Sequence, residues 1–164
     1  AALPFVSDAF DLVASSSVYQ WLNDLPNAFA EIARVLRPGG TVAIALFGEK
    51  TLYELRSSHQ AVLGNKKSHV QSFPSIDTLS ASLNGDFQVL DLRSEFEIEW
   101  HPDVPQLLRC LKKIGAQNAS QKRPSGLASR QVIGQMIEHY NHLYATERGV
   151  PATYEVIYLL ARRC

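Results

Sequence analysis

Hydrophobic positions in this chain follow two patterns, unbroken runs of strand length and stripes spaced three or four residues apart. The run 10–14 ends in three serines, which is typical of a strand buried on both faces of a parallel sheet. Leu25 and Pro26 then open a helix with one apolar face, and residues 41–47 form a second apolar run. The order strand, helix, strand predicts two parallel neighbouring strands joined by a right-handed crossover.

The rest of the chain predicts further helices and strands of an α/β protein. Thr51 is placed to cap one helix, and residues 87–100 predict a long strand in which Phe96, Ile98 and Trp100 face inward. Two amphipathic helices follow before a last strand. They predict a helical cap over residues 101–149, inserted between the last two strands.

Polar residues directly follow the first strand and form the main candidate for a binding site. In open α/β sheets, ligands collect beyond the carboxyl ends of the strands. The residues placed there are Ser15, Ser16, Tyr19, Gln20 and Trp21. An alternative stays open, in which a serine caps a helix and Trp21 belongs to the core.

Composition limits the classes of function. At 164 residues, 46% hydrophobic and 20% charged, the chain predicts one globular domain, and its zero net charge gives no sign of nucleic-acid binding. No apolar run is long enough to cross a membrane. Cys110 and Cys164 lack metal or redox spacing and suit a reducing compartment such as the cytoplasm. His139 and His142 lack a third ligand, so no metal site is predicted.

Charge is uneven along the predicted cap. Between Asp103 and Glu138 there is no acidic residue, while the basic residues in that interval are Arg109, Lys112, Lys113, Lys122, Arg123 and Arg130. Most such runs are solvated helix faces. A local basic surface in a neutral chain would also attract an acidic partner, and both interpretations stay open.

Three segments resemble the second half of a class I S-adenosylmethionine-dependent methyltransferase: residues 3–5 (Leu-Pro-Phe), 10–13 (Phe-Asp-Leu-Val) and 34–40 (Arg-Val-Leu-Arg-Pro-Gly-Gly). The resemblance implies a Rossmann-like sheet, with the two predicted strands as its fourth and fifth, and S-adenosyl-L-methionine as cofactor. The family's glycine-rich loop and ribose-binding acid lie upstream of these strands. We therefore expect residues 1–164 to form a partial methyltransferase domain that lacks the N-terminal cofactor-binding strands and is inactive alone.

A more specific resemblance, to the malonyl-acyl carrier protein O-methyltransferases of biotin synthesis, is carried by residues 51–56, 111–118 and 150–154. The resemblance implies methyl transfer to the free carboxyl of a malonyl thioester, carried on acyl carrier protein or coenzyme A. An acidic carrier protein would fit the basic cap. Because a carboxylate is already a nucleophile and a sulfonium already an activated methyl donor, positioning and water exclusion suffice, and no catalytic residue is expected.

Strand-end geometry and the family pattern together assign the cofactor-binding residues. They are Ser15, Ser16, Gln20 and Trp21; for Leu3, Pro4 and Phe5 it is the resemblance to the family alone that implies a place close to the adenine. Candidates for holding the malonyl group are Arg123, Arg130 and Tyr154. A purely structural role is at least as well supported as substrate binding for each of the three. Arg123 would suit an exposed loop, and Tyr154 would suit a core position at the end of a strand.

Two rival functions stay open. Mitochondrial complex I assembly factors resemble the same 51–56 and 150–154 patterns and modify a protein arginine, but the chain has no iron-ligand cluster, which ranks this function second. The third is a cofactor-free interaction module. A glycine-rich strand and turn encoded upstream in the gene would discard it.

Overall fold

The structure, a computed structural model, describes residues 2–64, 73–113 and 130–164. The strands in these ranges are β1 (Phe10–Ser16), β2 (Leu36–Phe47), β3 (Phe87–His101) and β4 (Val150–Arg163). The α-helices are α1 (Leu25–Val35), α2 (Tyr53–Leu63), α3 (Ile76–Ala81), α4 (Val104–Lys113) and α5 (Arg130–Tyr144), and a 3-10 turn spans Tyr19–Trp21. The chain is therefore of the α/β class, as predicted.

The four strands form one mixed sheet in the order β1-β2-β4-β3. β1 and β2 are parallel, with Ser16 opposite Ala45, whereas β2 and β4 are antiparallel, with Leu46 opposite Ile157. The predicted unit of two parallel strands around a helix is confirmed, although β2 already begins at Leu36, before the Pro-Gly-Gly turn. α4 and α5 lie between β3 and β4 in the chain, as predicted for the two inserted helices.

The first of two compact units consists of residues 1–49, 73–96 and 155–164. Asp24 caps α1 with its side chain, and Pro26 occupies the first turn of the helix, as predicted. The predicted apolar face of α1 is buried: Phe29 and Ile32 have no exposed surface and pack with Ile44 of β2 in one core. α1 thereby covers one face of the sheet and fixes the strand ends from which the candidate site is built.

The second unit consists of residues 50–72 and 97–154 and has a core of its own. The cluster joins residues of α2, α4 and α5 with Ala152 at the start of β4. Val104 and Tyr140 have no exposed surface. The Tyr140 hydroxyl donates a hydrogen bond to the carbonyl of Pro151 at 2.5 Å, so this buried polar group is satisfied.

One face of β1 differs from the prediction. The sequence predicts a strand buried on both faces, but Leu12 is 58% exposed, and Ala14 and Ser16 on the same face are exposed as well. The core described above lies on the opposite face, where Val13 packs against it beside the buried Val42. An apolar run indicates that both faces of a strand are suited to burial. In the part of the chain that the structure describes, however, other elements cover β1 on one face.

Two local expectations are wrong. Thr51 does not cap α2, because the cap position belongs to Leu52, which has a left-handed backbone at φ 53° and makes no side-chain cap bond. Thr51 is instead buried. Phe96 and Ile98 are exposed and only Trp100 is half-buried, so the alternation of apolar and acidic residues in β3 does not bury most of its apolar side.

Candidate functional site

The carboxyl ends of β1 and β2 lie side by side, as parallel strands require. The N–H of Ser17 donates to the carbonyl of Ala45 at 2.9 Å, which extends the pairing one residue beyond β1. Ser15 and Ser16 point to opposite faces of the sheet, because side chains alternate along a strand, and Ser15 is paired with the buried Ile44. A ligand lying against one face would therefore meet one of these two hydroxyls.

The turn after β1 buries an unpartnered polar side chain. Ser17 has a left-handed backbone at φ 57°, a strained conformation for a residue with a side chain and one that often marks functional sites. Gln20 follows in the 3-10 turn and is 4% exposed, yet neither its Oε1 nor its Nε2 has a hydrogen-bond partner among the residues that the structure describes. Leaving such a group unsatisfied costs about 1–3 kcal/mol, which a bound polar molecule would recover.

Trp21 belongs to an aromatic cluster beside this turn. Its ring lies edge-on to Phe73 with a centroid distance of 5.8 Å, and Phe73 lies 6.0 Å from Phe47 at the end of β2. The Trp21 side chain is 37% exposed, so part of the indole remains accessible. These contacts are compatible with both interpretations of Trp21, as a packing residue and as a cofactor neighbour.

Residues 2–9 have no regular secondary structure, and α1 holds their backbone. Arg34 donates from Nη1 to the carbonyl of Phe5 at 2.8 Å and from Nη2 to the carbonyl of Leu3 at 3.1 Å. The N–H of Leu3 donates to Oε2 of Glu31 at 2.7 Å. Pro4, which has no N–H, lies exposed between the two held residues. The predicted adenine segment is thus fixed at both of its ends.

Glu31 and Arg34 also bind each other at two points, Nε to Oε1 and Nη2 to Oε2, both at 2.9 Å. The hydrogen bonds from Arg34 and from the Leu3 N–H lower the pKa of Glu31 to about 2. Hydrogen bonding to Glu31 raises the pKa of Arg34. Sequence reasoning missed this pair, for which the available signal was a carboxylate and a guanidinium three residues apart on one helix.

Two concave surfaces border the predicted cofactor residues. A cavity of about 350 Å³ lies between residues 2–9, the 3-10 turn and α1, and its lining includes Leu3, Tyr19 and Glu31. A shallow groove of about 480 Å³ follows the open face of the sheet and is lined by Ser16 and by small residues of β2. Arg93 borders this groove but is already paired with carboxylates on its own strand.

The predicted substrate residues fall in different places. Arg123 lies outside the described residues, and Arg130 is the exposed first residue of α5. The hydroxyl of Tyr154 donates a hydrogen bond to Glu99, and burial together with that carboxylate raises the pKa of Tyr154 to about 12. Glu99 also lies 3.6 Å from Nε2 of the buried His101. To bind a substrate group, the Tyr154 hydroxyl would have to give up its hydrogen bond to the Glu99 carboxylate.

α4 presents a basic face in the second unit. Arg109, Lys112 and Lys113 are exposed and lie three and four residues apart, opposite the buried face of the helix. None of the three forms an ion pair with any residue that the structure describes, and Arg109 instead donates to Oε1 of Gln106 at 2.8 Å. Their charges are available to an anionic partner.

The histidine pair of the sequence lies on α5. His139 is half-buried and His142 is exposed. Within residues 2–64, 73–113 and 130–164, no group of three or more His, Cys, Asp or Glu side chains is placed to hold a metal ion. The same ranges contain no helix that is both long and apolar enough to cross a membrane.

The sheet order β1-β2-β4-β3 and the parallel β1–β2 pair form a mixed α/β fold whose structural neighbours are class I methyltransferases. Two solved structures share the fold. A Bacillus halodurans protein assigned to the methyltransferases matches with a TM-score of 0.59 at 13% identity, over 98% of this chain and 67% of that one. The YcgJ protein of Bacillus subtilis matches with a TM-score of 0.55 at 14% identity, over 99% and 67%.

Sequence comparison then identifies the particular relatives. A family model described as a methyltransferase domain matches residues 1–44. The malonyl-[acyl-carrier protein] O-methyltransferase of Geobacter sulfurreducens is 40% identical over an alignment of 167 positions that covers 98% of this chain and 62% of that protein. Malonyl-[acyl-carrier protein] O-methyltransferase 1 of Coxiella burnetii is 38% identical over 160 residues, 96% of this chain and 55% of that protein. The chain is similar over nearly its whole length to these malonyl-[acyl-carrier protein] O-methyltransferases, as the resemblance predicted, and spans 55–62% of the length of the two.

Proposed function

We propose that the complete protein transfers a methyl group from S-adenosyl-L-methionine to the free carboxyl of a malonyl thioester, an early step of biotin synthesis. The observation that carries the proposal is the extent of the similarity. The general methyltransferase-domain model matches residues 1–44, whereas the two malonyl-[acyl-carrier protein] O-methyltransferases match 96–98% of the chain, through α4 and α5. The match to the general methyltransferase-domain model does not include α4 and α5. Similarity in these helices therefore supports a shared substrate and not only a shared fold.

The reaction needs no proton transfer. S-Adenosyl-L-methionine, when bound, supplies an activated methyl group: a malonyl carboxylate oxygen forms a bond to its carbon while the carbon–sulfur bond breaks, and that electron pair stays on sulfur. The products are a methyl ester and S-adenosylhomocysteine. The task of the protein is to hold the two reactants in line and to exclude water, for which backbone groups, hydroxyls and an amide suffice.

The residues at the end of β1 fit the polar groups of this cofactor. Gln20 offers a buried donor and a buried acceptor that no described residue satisfies, and Ser15 and Ser16 add one hydroxyl on each face of the sheet. Trp21 contributes a partly accessible ring at the same edge. We place the adenine against Leu3, Pro4 and Phe5. We place the rest of the cofactor site in residues that correspond to the part of the relatives that this chain does not cover.

The malonyl carboxylate calls for a cationic or hydrogen-bonding group. We assign this role to Arg130 and Tyr154 among the described residues, together with Arg123. The Tyr154 hydroxyl is held by Glu99 in the unit that also contains α4, so the same unit carries both the proposed substrate contact and the basic face of α4. If the Tyr154 hydroxyl donated to the malonyl carboxylate in place of Glu99, substrate binding would be coupled to a local movement of the Glu99 side chain.

We further propose that the thioester is carried by an acyl carrier protein, which docks on α4. The two homologues described above are named for a malonyl-[acyl-carrier protein] substrate. Arg109, Lys112 and Lys113 supply positive charge with no carboxylate partner among the described residues, which suits an acidic protein surface. Exposed charges of this kind act mainly on the rate of encounter, because they attract a partner before contact.

The test is methyl transfer by protein expressed from the complete reading frame. Methyl-labelled S-adenosylmethionine is incubated with malonyl-acyl carrier protein, and the product is treated with alkali, which releases labelled methanol from a methyl ester but not from a methylated amine. Acetyl-acyl carrier protein is the control, because it has the same carrier and thioester without a free carboxylate.

Alkali-labile label on the malonyl substrate alone would support the proposal. Label on both substrates would place the methyl group elsewhere on the carrier and contradict it. No transfer to either would overturn the proposal and lead next to an assay of arginine modification in a partner protein. This 164-residue chain, assayed in parallel, shows whether the activity needs residues outside it.

A further inference from the structure

The geometry points to Arg34 and Glu31 as positioning residues for the cofactor, an inference that rests on the proposed function. We propose that this pair fixes the backbone of residues 3–5 in the position that receives the adenine. Neither side chain needs to touch the cofactor for this role. Both act through the backbone groups of Leu3 and Phe5 that they bind.

The pair supplies the hydrogen bonds that a strand or helix would otherwise provide. Residues 2–9 are irregular, so their N–H and C=O groups have no ladder partners. Three of these backbone groups bind the pair: the N–H and C=O of Leu3 and the C=O of Phe5. The N–H groups of Asp8 and Ala9 donate to the carbonyls of Arg34 and Val35 at the end of α1, at 3.0 and 2.9 Å, and fix the place where the segment joins β1.

The planar guanidinium is required for this arrangement. Its Nε and Nη2 bind the two oxygens of Glu31, while Nη1 and Nη2 reach two carbonyls of the segment. A lysine ammonium has three donors on one atom and cannot span these acceptors together. Glu31 in turn is held so that its Oε2 accepts from the Leu3 N–H.

The position of the pair beside a cavity gives it a role beyond packing. Leu3 and Glu31 both line the cavity of about 350 Å³, opposite Tyr19 of the 3-10 turn. A shift of the segment would therefore change the shape of a ligand-sized space. Because Phe5 packs edge-on to Phe10 at 5.0 Å, the same shift would be transmitted to the start of β1.

The experiment compares Arg34→Lys with Arg37→Lys in the complete protein. Arg37 is a matched control, since it binds Asp11 at two points, at 2.7 and 2.9 Å, and the carbonyl of Asp8 at 3.2 Å, but forms no hydrogen bond with Leu3, Pro4 or Phe5 within the described residues. Binding of S-adenosylhomocysteine is measured by calorimetry, and the thermal midpoint of each variant is measured without ligand. KM for S-adenosylmethionine and kcat are measured with malonyl-acyl carrier protein.

For Arg34→Lys we expect Kd for S-adenosylhomocysteine and KM for S-adenosylmethionine to rise roughly tenfold, with kcat at saturation changed less than twofold. Arg37→Lys should leave both constants unchanged. Glu31→Gln keeps an acceptor for the Leu3 N–H and should lose less affinity than Glu31→Ala. A merely structural pair would lower the thermal midpoint without this split between KM and kcat.

An unchanged Kd in a folded Arg34→Lys variant would overturn the inference, as would an equal loss in Arg37→Lys. The ligand-binding measurement separates this inference from the proposed function. A wild-type protein that binds S-adenosylhomocysteine but fails to methylate malonyl-acyl carrier protein would refute the proposed substrate, and the effect of Arg34→Lys on Kd would still decide the inference. A wild-type protein that fails to bind S-adenosylhomocysteine would overturn both.

Discussion

The buried carboxylate of Glu54 is bonded twice to Thr153, 99 residues away in the chain. The N–H of Thr153 donates to Oε2 of Glu54 at 3.3 Å, and its hydroxyl donates to Oε1. Glu54 has no exposed surface and Thr153 is almost as buried. The pair therefore ties the first turn of α2 to β4 inside the second unit.

Thr153→Ala should lower the free energy of unfolding by about 1–3 kcal/mol, because it removes one donor from a buried carboxylate. Thr153→Ser keeps the hydroxyl and should cost less. Urea titration of the two variants measures the difference. Equal losses would mean that the methyl group of Thr153, and not its bond to Glu54, supplies the stability.

Gly149→Ala should destabilise the protein by about 2 kcal/mol or more, because two costs add at this position. The backbone of Gly149 is left-handed at φ 104°, and a Cβ there would collide with the carbonyl of His101. Gly134 in α5 is the matched control, because a Cβ there meets no atom of the described residues within 4 Å. Gly134→Ala should raise stability by up to about 1 kcal/mol, through helix propensity. Similar thermal midpoints for the two variants would contradict the prediction.

Stability in acid should depend on Glu31. Its pKa is lowered from 4.5 to about 2, first by the hydrogen bond from Arg34 and then by that from the Leu3 N–H. A carboxyl with a lowered pKa in the folded state stabilises fully above its unfolded value and loses that contribution as the pH falls toward 2. Glu31→Gln should therefore reduce the fall of stability between pH 4.5 and 2. Equal slopes for wild type and variant in urea titrations across that range would refute this.

Gln20→Leu should separate stability from activity. Leucine has a similar volume and removes two unsatisfied polar atoms, so the thermal midpoint without ligand should stay equal or rise. If Gln20 binds the cofactor or the malonyl group, kcat/KM should fall about tenfold or more, since a bound polar group would lose its partner. A loss of thermal stability with unchanged kcat/KM would show instead that an internal water or an unassigned protein group satisfies the amide.

The basic face of α4 should act through long-range attraction. Replacement of Arg109, Lys112 and Lys113 by alanine should lower kcat/KM for malonyl-acyl carrier protein roughly tenfold at low salt and much less at high salt, where screening already weakens steering. Arg123→Ala and Arg130→Ala should act in the same direction. Malonyl-pantetheine, which has no charged carrier, is the control substrate and should be unaffected by the three changes on α4. A loss that is equal at low and high salt would contradict attraction by this face.

The sequence predicted the elements whose signals are local. Pro26 and the apolar spacing of Phe29 and Ile32 place α1, and the unbroken apolar runs place β1 beside β2. The boundary at Leu36 was missed because a strand can begin before a Pro-Gly-Gly turn when its first residue, here Leu36, is buried in the core. The cap position of Leu52 was not predicted, because nothing in the sequence indicates that a leucine will adopt a left-handed backbone.

The candidate site was predictable as a location but not as a set of contacts. The strand-end rule placed Ser15, Ser16 and Gln20 together, and the pleat of β1 then divides the two serines between opposite faces. The bonds from Arg34 to Leu3 and Phe5 join side chain to backbone across about thirty residues, a distance at which sequence spacing carries no information. Local patterns predict elements, whereas contacts of this kind depend on how the elements come together.

Each compact unit contains one of the two tryptophans of the chain, Trp21 in the first and Trp100 in the second. Trp21 packs on Phe73, and the guanidinium of Arg148 lies 4.8 Å from the ring centre of Trp100, so unfolding of either unit would change the surroundings of its own indole. Trp21→Phe and Trp100→Phe therefore turn intrinsic fluorescence into a separate reporter for each unit. Coincident emission changes in denaturant would mean that the two units unfold in one cooperative step, and separated changes would reveal which of them is the weaker.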